Sequence, residues 1–399
     1  MKILYINSFY DPYIGGGAEI GLQENVEGMQ RLGHDVSVLS LGPYKGLHID
    51  NVNGIKVYRS GYRNIYFHFG KIQSSQWKRV IWHTLDIYNP FNIDSIQKVI
   101  ALEKPDVISC HNLAGWSISV WDVCYKCGIP IVQVLHDQYL LCPKSNMFNN
   151  VQSCKTRCFL CRIMRQPHSS KSNKVTAVIG VSKFVLDQII SFDYFKNVPI
   201  RTFIHNSRTF PFHINELQHR LIDEYIVFGF IGTLAKNKGI EMLLKTFIKV
   251  AKPNWKLRIA GSGKTIYENT LKERFNDPRI VFLGYCSQKD FFTSIDISVV
   301  PSLNQETLGM VVIESFMFGV PVIGSNHGGI PEMLCNGENG FIFEPDKPHE
   351  LGQIMLKMAE TLHEWSNKRL LIQKSALPFM DINAWNKNYE HIYIQSINK

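Results

Sequence analysis

The chain has 399 residues, of which 45% are apolar and 19% charged, with 43 Lys and Arg against 34 Asp and Glu for a net charge of +9. That length is too great for one hydrophobic core and implies two domains of roughly 200 residues each. The composition is that of a globular protein, no apolar run approaches the ~18 residues of a membrane-spanning helix, and no nucleic-acid-binding motif accompanies the modest positive charge, so nucleic acid is not expected as a partner.

Short apolar runs alternate with longer amphipathic segments, which predicts βα units and parallel sheets. The first strand is expected at 2–6 and soon meets Asp11-Pro12. It lacks the length and the cleavage site of a signal peptide, so a cytoplasmic protein is expected. Gly15-Gly16-Gly17-Ala18-Glu19 follows. A glycine-rich turn feeding a helix can offer backbone N–H groups to a phosphate or sugar oxygen, although such a turn alone is more often only a turn.

Further strands are expected at 36–40, 55–58, 106–109 and 130–135. The last two run into His111-Asn112 and His136-Asp137, and polar residues at the carboxyl ends of parallel strands face the ligand side of the sheet. Asp137 could take a proton from a hydroxyl within about 3 Å.

Residues 51–85 contain no acid and carry six Lys/Arg and seven aromatics, and residues 138–186 are also free of Asp and Glu and carry eight Lys/Arg. Two readings of these stretches stay open. One is a solvated basic face over buried aromatics; the other is contact with anionic lipid headgroups or a lipid-phosphate acceptor.

Cys142, Cys154, Cys158 and Cys161 are spaced C-x11-C-x3-C-x2-C in a loop-like stretch. Four thiolates could hold a structural zinc, and free thiols are the competing reading.

Strands at 176–181 and 201–205 complete the first half, and the polar stretch 205–225 marks the join. The second half is more regular, with strands expected at 226–231, 256–260, 280–283, 296–300, 320–323 and 340–343. Gly232-Thr233 ends the first of them, and Lys236 and Lys238 precede the next helix, where a lysine can neutralise a phosphate. Gly261-Ser262-Gly263 and Gly284-Tyr285 follow the next two strands. The segment 349–399 reads as helical, with Trp385, Tyr389 and Tyr393 on one face.

The densest signal is Glu306-Thr-Leu308-Gly309-Met310-Val-Val-Ile-Glu314, continued by Ser-Phe-Met-Phe-Gly319-Val-Pro321-Val. Glu314 sits inside an apolar run, where a carboxylate is costly without a polar partner, and ligand hydroxyls are one such partner. Gly309 permits close backbone approach, and the helix after it offers N–H groups to an anion.

This E-x7-E arrangement, taken with the Gly15–Glu19, His111–Gly115, His136–Tyr139, Gly232–Gly239, Gly261–Gly263, Gly284-Tyr285 and Gly328-Gly329-Ile330-Pro331-Glu332 motifs, resembles the family 4 retaining glycosyltransferases. The resemblance implies an α/β GT-B fold: two Rossmann-like doubly wound domains facing a central cleft. An acceptor-binding domain is expected over 1–205 and a donor-binding domain over 206–377. The C-terminal helix, 378–399, is expected to cross back to the first domain.

By the same resemblance the protein moves a sugar from a nucleotide-diphosphate donor to a glycan or lipid-linked acceptor in cell-surface polysaccharide biosynthesis. An epimerase or a non-catalytic binding protein of the same fold is the alternative. His136, Glu306 and Asp137 are implied at the reaction centre. Gly16, Gly17, Gly232, Lys236, Lys238, Gly263, Tyr285, Leu308, Gly309, Met310 and Glu314 are implied on the donor, and His111 and Asn112 on the acceptor side. Glu314 would bind the ribose. No D-x-D motif is present, so no catalytic metal is expected. A subset of similar enzymes carries a cysteine cluster after the His-Asp motif. The family usually has Arg where this chain has Thr233, which removes a forked phosphate contact. Peripheral contact with the inner face of the plasma membrane is a further expectation.

Overall fold

The computed structural model describes residues 1–70, 75–209 and 224–399. They form two units. The first comprises Met1–Met147, Lys155–Thr209 and Asp381–Lys399; the second comprises Phe148–Cys154 with the described part of 210–380.

The first unit is built on an eight-stranded sheet of β1 (Lys2–Ile6), β2 (Asp35–Gly42), β3 (Leu47–Val52), β4 (Ile55–Gly61), β5 (Val107–Cys110), β6 (Ile131–Leu135), β7 (Ala177–Gly180) and β8 (Ile200–Phe203). Its order is β3-β4-β2-β1-β5-β6-β7-β8, parallel throughout except for the β3–β4 hairpin. The central strands are apolar because helices cover both faces, and β1, β5, β6 and β7 are almost wholly buried. β3 departs from the sequence expectation. Its residues, Leu-His-Ile-Asp-Asn-Val, are mostly exposed at the sheet edge, so no apolar run announced it.

The C-terminal helix, Ile382–Ile397, packs on the helix Gly17–Arg31. The approach is close at Gly28, where a Cβ would lie 2.1 Å from Asn386 Nδ2. Glycine is the residue that fits there, because a side chain would displace the Asn386 amide from its place between the two helices.

The second unit carries a six-stranded, fully parallel sheet of β9 (Ile226–Ile231), β10 (Trp255–Ala260), β11 (Ile280–Gly284), β12 (Ile297–Val300), β13 (Val322–Ser325) and β14 (Gly340–Phe343). The order is β11-β10-β9-β12-β13-β14. Strand order therefore reverses at β1/β5 in the first unit and at β9/β12 in the second. Doubly wound sheets bind ligands outside the carboxyl ends of the strands at such a reversal. The core of the second unit is mainly Val, Ile, Leu, Phe and Met, with Trp255 packed beside Phe228 and with Phe247 and Phe316 in the same cluster. No described helix is long and apolar enough to cross a membrane.

Candidate functional site

In the second unit the loops after β9 and β12 meet at the switch point. The loop after β9 turns through Lys236–Lys238 and the positive-φ Gly239 into the helix Ile240–Val250. The loop after β12 carries Ser302 and Glu306 and ends at Gly309, the positive-φ cap of the helix Met310–Met317.

Lys238 Nζ lies 2.6 Å from Glu306 Oε1, and the Ser302 hydroxyl donates to the same oxygen at 2.6 Å. The Gly329 amide donates to the Glu306 carbonyl. A Cβ on Gly328, at φ +68°, would lie 1.9 Å from that carbonyl oxygen, so the Gly328-Gly329 turn clamps the Glu306 backbone. Glu306 is thus held at its side chain and at its main chain.

Glu314 is buried in the helix that follows, Leu308 is buried and Met310 partly so. Gly232 and Gly261 touch backbone to backbone: a Cβ on Gly261 would lie 1.9 Å from Gly232 O. Leu234 N donates to Ser262 O, and Gly263 packs on Leu234, so the Gly232 and Gly263 loops form one backbone-lined floor. Tyr285 is 92% exposed after β11, a flat ring open to stacking. Lys236 instead lines a cavity of about 450 Å³ with Phe148, Val151, Met242, Lys245 and Leu303, and Lys238, Glu306, Gly309 and Glu314 are absent from that lining. Ser302 and Gly328 were not among the residues expected from sequence. The Gly328-Gly329 pair was the available signal for the second, and nothing marked the first.

In the first unit the loops after β1 and β5 are stitched together. Asn112 N donates to Asn7 Oδ1, and Ser8 N donates to Asn112 O. His111, after β5, and His136, after β6, stack with ring centroids 5.0 Å apart, and His111 Nδ1 lies 2.8 Å from His136 Nε2. Burial pushes both imidazoles down, His136 to about 4 and His111 well below its ordinary range, so both are neutral at physiological pH.

Asp137 accepts from Tyr139 N at 2.7 Å. Burial raises its carboxyl to about 6, the hydrogen bonds from Tyr139 N and Ser145 pull it back, and the nearby Glu19 carboxylate raises it further. Glu19 was not expected from sequence. It is buried on the first turn of the helix Gly17–Arg31, and burial raises its carboxyl while the Gly15 and Gly16 amides and Asn112 hydrogen-bond to it. The amides of the glycine-rich turn are therefore directed at an internal carboxylate, with Gly17 opening the helix behind them.

Cys142 is buried, Cys158 exposed and Cys161 partly buried, and all are free thiols. Cys158 caps the helix Phe159–Met164, its sulfur accepting from Cys161 N. That amide pulls the Cys158 thiol down, whereas burial and the neighbouring Cys158 and Cys142 push the Cys161 thiol up. Cys154 belongs to the segment Phe148–Cys154 in the second unit. Among the described residues no group of three or more His, Cys, Asp or Glu side chains is arranged to hold a metal ion.

Similarity to known proteins agrees with this architecture. The chain is 27% identical over 334 residues to an uncharacterized 42.6 kDa protein of the cps region of Klebsiella pneumoniae, covering 84% of this chain and 87% of that one. It is 25% identical over 405 residues to an uncharacterized glycosyltransferase of Methanocaldococcus jannaschii, covering 97% and 95%. Among solved structures, sucrose-phosphate synthase from Thermosynechococcus elongatus superposes with a TM-score of 0.76 at 15% identity, covering 99% and 98%. Anabaena HepE in complex with UDP and glucose does so with 0.71 at 19%, covering 98% and 99%. Both likenesses are of the fold. The model of Glycosyltransferase Family 4 matches residues 15–203, that of Glycosyl transferases group 1 matches residues 214–369, and the chain belongs to the family 4 glycosyltransferases, with the GT-B fold.

Proposed function

We propose that this glycosyltransferase takes a sugar from a nucleotide-diphosphate donor, with retention of configuration and no catalytic metal, and passes it to a glycan or lipid-linked acceptor in cell-surface polysaccharide assembly. The observation that carries the reading is the Lys238–Glu306 pair at the β9/β12 switch point, with the Gly309-capped helix and buried Glu314 beside it. Lys238 has three N–H donors, of which Glu306 uses one, and the others suit the leaving diphosphate. The amides of Leu308, Gly309 and Met310 add donors at a helix start. Glu306 then holds sugar hydroxyls and Glu314 the ribose, since a carboxylate accepts two hydrogen bonds side by side. Retention is proposed from the family alone.

Relatives of the capsule type support the pathway class: the Klebsiella protein lies in a cps region, and the capsular polysaccharide biosynthesis glycosyltransferase CapM of Staphylococcus aureus is 29% identical over 137 residues. Peripheral contact with an anionic membrane belongs to the same proposal. Its support is the exposure of Trp77, Val80 and Ile81 on the helix Gln76–Leu85 and of Phe159, Leu160 and Ile163 on the helix Phe159–Met164, both within the acid-free stretches. A structural zinc held by cysteines of the Cys142–Cys161 stretch is also proposed, from their spacing in the sequence and the family resemblance alone. About one zinc per purified chain is the result that checks it.

Nucleotide release from UDP-, GDP-, ADP- and dTDP-sugars, measured in excess chelator on wild type and Glu314→Ala, tests the function. Release from one donor that the variant loses and the chelator spares is expected. Release that needs a divalent ion would sink the metal-free reading. Donor turnover without a new glycoside would point to an epimerase.

A further inference from the structure

A chain of hydrogen bonds runs from the C-terminal helix to His136. Asn386 Nδ2 donates to Ile382 O at 2.8 Å, which leaves Asn386 Oδ1 as an acceptor. Asn25 Nδ2 donates to that oxygen at 3.0 Å. Asn25 therefore turns its own Oδ1, which can only accept, toward Tyr5 OH at 3.0 Å and Tyr393 OH at 3.3 Å. If Tyr393 donates to Asn25, its single hydrogen is spent, and Ser109 Oγ, 3.0 Å away, must donate to the phenol oxygen. Ser109 then accepts from His111 Nε2 at 3.0 Å. A neutral His111 with its proton on Nε2 has a bare Nδ1, which accepts from His136 Nε2 across 2.8 Å.

The opposite direction fails twice. It would set the Tyr393 and Asn25 oxygens face to face with no hydrogen between them. It would also put a proton on His136 Nδ1, which is buried without a hydrogen-bond partner among the described residues, and an orphaned buried N–H is the rarer fault.

We infer that Asn386, Asn25, Tyr393, Ser109 and His111 are positioning residues that fix His136 as the neutral tautomer with hydrogen on Nε2 and a lone pair on Nδ1. Burial keeps both imidazoles neutral, so the relay holds across physiological pH. His136 lines a small cavity of about 10 Å³, room for one water molecule, with Asn112, Asp137 and Tyr139. A bare Nδ1 can accept a hydrogen from a water molecule there, where an N–H would need an acceptor.

The test is long-range proton–nitrogen NMR on protein labelled with 15N-histidine, with His136 assigned by its loss in His136→Gln. Wild type should show a protonated Nε2 and a bare Nδ1 at His136. Tyr393→Phe removes the oxygen that takes the Ser109 hydrogen, so Ser109 turns to His111 Nε2 and the His136 pattern reverses or averages. Ser109→Ala, which removes the link itself, should average it too. A purely structural role would lower the melting temperature and leave the nitrogen pattern unchanged. A protonated Nδ1 in wild type, or an unchanged pattern in both variants, overturns the inference. The expected pattern in a protein that releases nucleotide from no donor would keep the relay and discard the transfer reading.

Discussion

Lys238 and Glu306, which come from the loops after β9 and β12, share a 2.6 Å ion pair whose carboxylate oxygen also receives the Ser302 hydroxyl. The pair lies where strand order reverses, so it joins the two halves of the sheet at the point where a ligand would enter. It is partly exposed, at 32% and 16% of the two side chains, and partly exposed pairs contribute little to stability. Its value lies in charge placement. Lys238→Met should cost less than about 1 kcal/mol in unfolding and about 100–1,000-fold in donor turnover. Ser302→Ala should mainly raise the donor KM, by a few fold, because it frees Glu306 without removing charge. A Lys238→Met enzyme with wild-type turnover would show that the diphosphate is met elsewhere.

The buried titratable groups of the first unit predict its response to acid. Burial lowers His68, His83 and His136 to about 4, and His111 and His168 well below their ordinary range. The unfolded chain binds protons on these histidines between about pH 6.5 and 4, so each loses stability for the native state as pH falls through that window. Asp86 and Asp137 are raised to about 6 and act in the opposite sense: their native forms bind protons more tightly, and stability is lost as pH rises from about 4 to 6. Burial raises Glu19 and Glu24 as well, in the same sense as the aspartates, but the five lowered histidines still outnumber these four carboxyls, so the first unit should unfold more readily as pH drops from 6.5 to 4. Asp137→Asn keeps an acceptor for Tyr139 N and removes the ionisation. It should gain about 2 kcal/mol above pH 6 and steepen the acid loss. Urea midpoints across pH 4–8 decide this, and a flat profile for wild type would refute it.

Local signals carried much of this architecture. Buried strands such as β6, Ile-Val-Gln-Val-Leu, are apolar runs closed by polar residues, and the glycines at 309 and 328 mark tight backbone. What sequence did not show depends on partners distant in the chain. β3 is a polar edge strand defined by pairing with β4. The Asn25–Asn386 hydrogen bond spans 361 positions, and neither residue belongs to a motif. Glu19 was visible only as part of a glycine-rich turn, and its role as the carboxylate held by that turn needed the folded loop. Phe148–Cys154 lies inside the first half of the sequence yet packs with the second unit, where the Ser153 hydroxyl donates to Leu303 O.

The exposed faces of the helices Gln76–Leu85 and Phe159–Met164 predict lipid binding. Trp77 is 60% exposed and Phe159 80%, and no Asp or Glu occurs in 51–85 or 138–186 to repel an anionic headgroup. Aromatic and aliphatic side chains beside lysine and arginine suit the interfacial zone of such a surface. The protein should float with phosphatidylglycerol vesicles at low salt and remain in solution with phosphatidylcholine alone. Trp77→Ser with Phe159→Ser should abolish flotation without lowering the melting temperature, since both side chains are exposed. If that variant instead turns a dimer into a monomer in light scattering, the face is a contact between copies and not with lipid.

Those two helices end on one buried ion pair. Asp86 caps the carboxyl end of the first and Arg165 that of the second, with Arg165 Nη2 3.7 Å from Asp86 Oδ2 and both residues fully buried. Asp86 is well satisfied, accepting from Gly115 N at 2.6 Å and from Tyr139 OH at 2.8 Å. Arg165 has no hydrogen bond from its guanidinium among the described residues and rests 4.3 Å over the Tyr139 ring. The pair is therefore asymmetric. The guanidinium contributes charge and ring contact, and removing it leaves an ionised Asp86 in the interior. Arg165→Met should cost about 3–5 kcal/mol at neutral pH. Arg165 is among the groups that hold the Asp86 carboxyl down to about 6, so without it Asp86 takes up its proton above pH 6, and the loss should shrink as pH falls through that range. Asp86→Asn with Arg165→Met removes both charges, keeps an oxygen for Gly115 N, and lets the amide NH2 donate to Tyr139 OH while that hydroxyl turns to Asp86 O, so it should recover most of the stability. Equal losses in the single and double variants would show that Arg165 acts through packing on Tyr139 alone.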